Sequence, residues 1–184
     1  MQLCTINYYR NSGGNFTAVT GVDNPFDGVD VGDFSTPTFA DIDGDGDQDA
    51  FIGNDDGTIN YYRNSGGNFT AVTGVDNPFD GVDVGDFSTP AFADIDGDGD
   101  QDAFIGNLDG IINYYRNDNG SFTAVTGADN PLDGVDVGLF SAPSFADIDG
   151  DGDLDGLIAG GDPSSSDFVS TIRFFRNTTD PVSY

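Results

Sequence analysis

Glutamate, lysine, histidine and tryptophan are all absent from this chain of 184 residues, and there is one cysteine and one methionine. Each gap excludes something. With neither His nor Lys, neither of those residues is there to act as a base near pH 7, and no Ser stands in a triad context; the composition leaves a glycosidase-type pair of Asp carboxylates open. Basic residues are scarce as well. Five Arg face 33 Asp, giving a formal net charge of -28 and an isoelectric point near 4.1. Nucleic acid and anionic membrane both require a basic footprint, so neither is expected as a partner. No stretch approaches the roughly 18 apolar residues of a membrane-spanning helix, so no membrane insertion is expected. Cys4 stands alone and cannot form an intrachain disulfide. Met1-Gln2-Leu3-Cys4 carries neither a basic nor an apolar leader, so no signal peptide is read in this chain. Glu and Lys are good helix formers, and 27 Gly with 8 Pro move the composition further from helix. Hydrophobic residues at 36% and aromatics at 12% still provide a core, which excludes an acidic disordered tail.

What is present is repetition. Asn-Tyr-Tyr-Arg-Asn begins at Asn7, Asn60 and Asn113, each 53 residues after the last. Asp-Ile-Asp-Gly-Asp-Gly-Asp begins at Asp41, Asp94 and Asp147, with the same spacing of 53. Residues 7–59 and 60–112 differ at three positions, Thr38/Ala91, Asp55/Leu108 and Thr58/Ile111. The third unit drifts further, and its Arg173-Phe174-Phe175-Arg176-Asn177 arrives late, behind an insertion near 161–167. The repeats therefore run at about 7–59, 60–112 and 113–177, inside one domain spanning 1–184.

Each unit reads as four short strands. In the first complete one, Thr38–Ile42 is β-branched and aromatic, and Ala50–Gly53 follows an Asp-rich loop. An Asp-Gly turn then leads to Thr58–Arg63, and Ser65-Gly66-Gly67-Asn68 turns into Phe69–Thr73. A linker over Gly74–Ser88 reaches the next unit. Four antiparallel strands at this period predict an all-β fold: a β-propeller of four-stranded blades, about three per chain.

The loop between the first two strands carries the chemistry. Asp41-Ile42-Asp43-Gly44-Asp45-Gly46-Asp47-Gln48-Asp49 has the spacing D-x-D-x-D-G-x-x-D, and it recurs at 94–102 and 147–155. Ca²⁺ takes 6–8 oxygen ligands at about 2.3–2.6 Å. Alternating Asp at positions 1, 3 and 5 of a tight loop aims three carboxylates at one point, Gly at position 6 allows the reversal, and Asp at position 9 closes the shell. Mg²⁺ suits the loop less, because it prefers a rigid octahedron. The loop is no EF-hand, since position 12 is Ile52, Ile105 or Ile158 rather than Glu. The plainer reading is a solvated Asp/Gly turn without metal.

The run Phe-Ala-Asp-Ile-Asp-Gly-Asp-Gly-Asp-Gln-Asp-Ala-Phe-Ile-Gly, followed by Ile-Asn-Tyr-Tyr-Arg-Asn, resembles the FG-GAP/VCBS-type β-propeller repeat, and the resemblance covers nearly the whole chain. Integrin α-subunit propellers and certain fungal lectins are similar in using such a loop for Ca²⁺. The resemblance implies about three Ca²⁺ per chain. Asp41, Asp43, Asp45 and Asp49 would be the side-chain ligands of the first loop, and Asp47 would offer its carbonyl. The matching sets are Asp94, Asp96, Asp98, Asp100 and Asp102, then Asp147, Asp149, Asp151, Asp153 and Asp155. It further implies a non-enzymatic scaffold or adhesion element, part of a secreted protein at the cell surface or outside the cell. The alternative is a Ca²⁺-dependent lectin with carbohydrate pockets between blades.

Other motifs carry two readings each. Tyr61, Tyr62 and Arg63, with Tyr114, Tyr115 and Arg116, either line a sugar pocket or pack between blades while the Arg pairs with a nearby Asp. Asn77-Pro78-Phe79-Asp80 reads as a linker that needs turns. Asp162-Pro163-Ser164-Ser165-Ser166 matches D-x-S-x-S without the helix an adhesion site requires, and reads as a loop insertion. Asn15, Asn68, Asn119 and Asn177 head N-x-S/T sequons.

Laid out in strands, the chain starts with a third and fourth strand (Thr5–Arg10, Phe16–Thr20) and ends with a first, second and third (Pro143–Ile148, Leu157–Ala159, Thr171–Arg176). Three blades are too few for a ring. A homodimer closing a six-bladed ring is therefore expected, with one third-position strand to spare. The rivals are a piece of a longer propeller chain and a nine-bladed trimer.

Overall fold

In the computed structural model, residues 6–161 and 170–177 are described. Thirteen strands are found among them: β1 Tyr8–Ser12, β2 Asn15–Val19, β3 Thr36–Ala40, β4 Asp49–Gly53, β5 Ile59–Ser65, β6 Asn68–Val72, β7 Thr89–Ala93, β8 Asp102–Gly106, β9 Ile112–Asp118, β10 Ser121–Val125, β11 Leu139–Ala146, β12 Asp155–Gly161 and β13 Ser170–Phe175. They form four antiparallel sheets, in the orders β1-β2, β3-β4-β5-β6, β7-β8-β9-β10 and β11-β12-β13. The fold is all-β, and the two middle sheets have the expected four strands. Within one chain the sheets do not close into a ring, and the outer ones have two and three described strands. Cys4 lies outside the described residues, as does all but Gly161 of the insertion near 161–167, with its Asp162-Pro163-Ser164-Ser165-Ser166 motif.

The strand limits follow side-chain chemistry. The first strand of each unit starts earlier than expected, at Thr36 and Thr89, and so includes Pro37 and Pro90. Proline is tolerated because β3 and β7 pair on one side only, leaving an edge where no ladder N–H is required. These strands stop at Ala40 and Ala93, before the Asp loops begin.

Alternation along β4 buries both of its faces. Phe51 points toward the following sheet, and Ala50 and Ile52 toward Phe26 and Val31 of the preceding linker. The core therefore lies between sheets. One cluster joins Phe51 and Tyr61 to Ala103 and Ile105 of the next sheet, and another joins Phe104 and Tyr114 to Ile158. Burying a side chain the size of Phe51, which is fully buried, contributes about 2–3 kcal/mol. The linkers contribute to the same clusters. Phe79 is 2% exposed, and its ring centroid lies 5.9 Å from that of Phe51 and 5.0 Å from that of Phe122. Asn77-Pro78-Phe79-Asp80 is thus a turn that inserts a core residue. Asn77 Oδ1 shapes it by accepting the Phe79 N–H at 2.9 Å.

Polar staples fix each sheet to the next. The Ser88 N–H donates to the Asn54 carbonyl at 2.9 Å, and the Asn54 N–H donates back to Ser88 Oγ at 2.9 Å. Ser141 and Asn107 repeat the pair at 2.9 and 2.8 Å. The approach is close enough that a Cβ on Gly57 would collide with the Gly85 carbonyl. Beside these staples, Phe34, Phe87 and Phe140 adopt positive φ (52°, 58° and 56°), a region bulky residues avoid. Their rings stack edge to face at 5.1 and 5.2 Å in a ladder.

Candidate metal centres

Each Asp loop shapes itself. Asp41 accepts the Gly44 and Gly46 N–H groups on its two oxygens, both at 2.9 Å. The Asp45 N–H donates to Asp43 Oδ1 at 3.3 Å, and the Asp47 N–H to Asp45 Oδ1 at 2.9 Å. Gly44 and Gly46 have φ of 73° and 90°, which glycine adopts without strain. The same pattern recurs in the second and third loops, with Asp94 and Asp147 in the place of Asp41.

The result is three triads. One carboxylate oxygen each from Asp41, Asp43 and Asp45 lie within 4.8 Å of one another, as do those of Asp94, Asp96 and Asp98, and of Asp147, Asp149 and Asp151. Oxygens 2.3–2.6 Å from a common ion are at most about 5 Å apart, so the donor set fits one Ca²⁺-sized cation. All nine are hard carboxylate ligands, which suits Ca²⁺ over softer metals. The triads also concentrate charge. Burial and the neighbouring Asp98 and Asp94 push the Asp96 carboxyl above its ordinary range.

The structure gives the other two Asp of each loop different surroundings. The side chain of Asp47 turns to the far hairpin and accepts the Gly66 N–H at 2.7 Å; Asp100 does the same for Asn119 at 2.7 Å. Asp49, Asp102 and Asp155 are fully buried at the starts of β4, β8 and β12. Asp49 accepts the Tyr61 hydroxyl at 2.9 Å and the Asn64 N–H at 2.7 Å. Asp102 accepts the Tyr114 hydroxyl at 3.0 Å and the Asn117 N–H at 2.8 Å. Burial is the main cause that raises the Asp102 pKa, to about 6, against the pull of these two donors. Burial likewise pushes the Tyr61 hydroxyl up to about 12. The third loop differs. Phe174 occupies the position of Tyr61 opposite Leu157, so Asp155 accepts only backbone N–H groups there, from Asn177 at 2.9 Å and Ile148 at 3.3 Å.

The aromatic and Arg residues do not gather in one pocket. Tyr61 and Tyr62 point to opposite faces of β5; Tyr62 meets Phe26 with centroids 5.6 Å apart. Tyr114 lies in one core cluster, and Tyr115 packs on the other, 6.0 Å from Phe79. Arg63 Nε reaches Asp43 Oδ2 at 3.3 Å, and Arg176 reaches Asp149 at 2.8 Å. Arg116 instead pairs with Asp118 at 3.0 Å. Tyr61 and Arg63 do border a polar cleft of about 440 Å³, closed by Asp41 and Asp43 on one side and Asp100 on the other.

Sequence reasoning missed the inter-sheet staples. Asn54 and Ser88, and Asn107 and Ser141, each stand 34 residues apart and are buried. The only signal for them is the repetition itself, because Asn and Ser in an acidic, glycine-rich chain look like ordinary loop residues.

No curated protein matches the chain at a significant level. The family model described as FG-GAP-like repeat matches residues 41–105 and again 94–158, so that each match runs from one Asp loop into the strand that follows the next Asp loop, β8 or β12. On those two overlapping matches, which together cover most of the sequence, the chain belongs to the FG-GAP-like repeat family.

Proposed function

We propose that this chain is a calcium-binding, propeller-type module, whose ions hold its sheets in shape while the assembly serves as a scaffold or interaction element outside the cell. The observation that carries the reading is the threefold recurrence of a carboxylate triad within 4.8 Å. Asp41, Asp43 and Asp45 would hold one ion, and Asp94, Asp96 and Asp98, then Asp147, Asp149 and Asp151, the other two. Asp49, Asp102 and Asp155 close the loops from below, and the carbonyls of Asp47, Asp100 and Asp153 complete the shells. Three divalent ions would offset six of the 28 excess negative charges, at the points where they crowd most. FG-GAP-like repeats are typically non-enzymatic and typical of extracellular proteins. Among the described residues no helix is long and apolar enough to cross a membrane.

Calorimetric titration with Ca²⁺ tests the reading. Three sites are expected, falling to two in Asp45→Ala. A melting temperature equal in millimolar Ca²⁺ and in excess EDTA overturns it.

A second reading, Ca²⁺-dependent carbohydrate binding, is favoured by the polar cleft beside Tyr61, Arg63 and Asp43, which adjoins the first triad. A glycan array probed with and without EDTA tests it. Binding that EDTA abolishes supports a lectin, and no binding in Ca²⁺ removes it.

A further inference from the structure

The fourth strand of each complete sheet carries a Phe that fills a fixed slot. Phe69 on β6 lies 4.8 Å from Phe26 of the preceding linker and 6.4 Å from Phe39 of β3. Phe122 on β10 sits the same way, 5.0 Å from Phe79 and 6.3 Å from Phe92. In the third unit the two walls of this slot are Leu132 and Phe145, and the last sheet has no fourth strand among the described residues. In its place is a cavity of about 700 Å³, lined by Phe104, Tyr114, Leu132, Phe145, Phe174 and Phe175. The residue that matches Phe69 and Phe122 in the first sheet is Phe16 on β2. It is 70% exposed, on a two-stranded hairpin that is solvated along nearly its whole length.

We propose that β2 of a second copy of this chain completes the last sheet, pairing with the outer edge of β13 and placing its Phe16 in this cavity. The register is set by repetition. In the three hairpins present, Arg10 faces Thr17, Arg63 faces Thr70 and Arg116 faces Thr123. Arg176, the residue just past the end of β13, holds the equivalent place: its neighbour Phe175 pairs with Gly156 as Tyr62 pairs with Ala50, and it reaches Asp149 as Arg63 reaches Asp43. Arg176 of one copy therefore faces Thr17 of the other. In this arrangement β2 exchanges its own β1 for β13, losing one ladder and gaining another. The exchange is favourable because an isolated hairpin is marginal in water, whereas an outer strand on a stacked sheet also buries its aromatic side chain. The reciprocal contact closes two chains on each other.

The phenylalanine ladder points to the same partner. Its ends, Phe34 and Phe140, are 72% and 45% exposed. Two joined copies bring Phe140 of one beside Phe34 of the other, continuing the 5 Å spacing seen within the chain.

The inference stands apart from the metal reading, and the test separates them. Light scattering of the full chain, in Ca²⁺ and in EDTA at 0.15 M salt, is expected to give twice the 19.3 kDa chain mass in at least one of the two conditions. Absence of bound Ca²⁺ overturns the metal reading alone; a 19.3 kDa species in both conditions overturns this one. Phe16→Asp is expected to abolish the dimer, while Val22→Asp, at a fully exposed position, leaves it intact. A dimer that survives Phe16→Asp overturns the proposal. If Phe16→Asp fails to fold, a cysteine pair decides instead. In a Cys4→Ser background, Thr17→Cys with Arg176→Cys is expected to give a reducible intermolecular dimer, and Thr17→Cys with Ile172→Cys is not. No intermolecular disulfide from the first pair, or equal yield from both, overturns the pairing. A monomer whose cavity is filled by the chain's own residues after Asn177 would show as the first of those failures.

Discussion

The second and third Asp loops have the same cage and different floors. Asp102 and Asp155 are both fully buried, and each begins the second strand of its sheet. Asp102 is held by a tyrosine hydroxyl and a backbone N–H, Asp155 by backbone groups alone. Yet in the triads above both of them the carboxylate oxygens come within 4.8 Å of one another. The loop's shape therefore comes from its own Asx-type hydrogen bonds and glycines, and the tyrosine acts below it, tying the third strand to the cage. The cage is local and the floor is tertiary.

Metal removal is the largest expected effect on that comparison. At a free Ca²⁺ of 100 times Kd each site contributes about 2.7 kcal/mol, so three independent sites give about 8 kcal/mol. A thermal melt in Ca²⁺ against EDTA measures the sum. Loop-by-loop Asp→Ala variants show whether the third cage, without its tyrosine, is weaker than the second.

Asp102→Ala comes next. It leaves the Tyr114 hydroxyl and the Asn117 N–H buried without a partner, at a cost of about 3 kcal/mol or more in metal-free protein. Asp155→Ala strands no tyrosine and should cost less. Urea midpoints of the two variants measure the difference, and equal losses would mean that the tyrosine contributes nothing to the floor.

The hydroxyl itself is exchanged in a third pair. Tyr114→Phe makes the second floor like the third and should destabilise by about 1–2 kcal/mol. Phe174→Tyr makes the third like the second and should stabilise by about 1 kcal/mol, since the new hydroxyl meets a buried carboxylate. The smallest effect belongs to Arg63→Ala. Its pair with Asp43 is half exposed, so a loss under about 1 kcal/mol is expected, and less at high salt.

Much of the fold was legible before any coordinates. Asp-Gly and Gly-Gly turns at fixed offsets mark hairpins, and β-branched and aromatic alternation marks the strands between them, which is why β4 to β6 fall within two residues of their expected limits. The start of β3 lies two residues before the expected Thr38, because the edge position that admits Pro37 is set by the sheet. Phe79 was hidden for a similar reason: a Phe in an Asn-Pro-Phe-Asp turn looks like a loop residue, and only the stacking of two sheets turns it into core. The triad positions 1, 3 and 5 were readable from spacing, since a glycine turn brings alternate side chains to one side. What Asp49 touches was not, because its partners Tyr61 and Asn64 arrive from the third strand.

The sequence by itself determined the all-β class, the unit of four strands and the three Asp cages, since all of these arise between neighbouring segments of one unit, the widest ladder pair of the first complete sheet joining Thr36 to Gly53, and are repeated at a period of 53. The tertiary structure alone decided how the units meet. Asn54 finds Ser88 across 34 residues, Phe79 finds Phe122 across 43, and the last sheet keeps a cavity where its equivalent would go. The two middle units carry nearly the same local instructions, so what their residues become depends on the neighbour each packs against; the last unit also differs in its own residues, with Leu157 and Phe174 where the first has Phe51 and Tyr61.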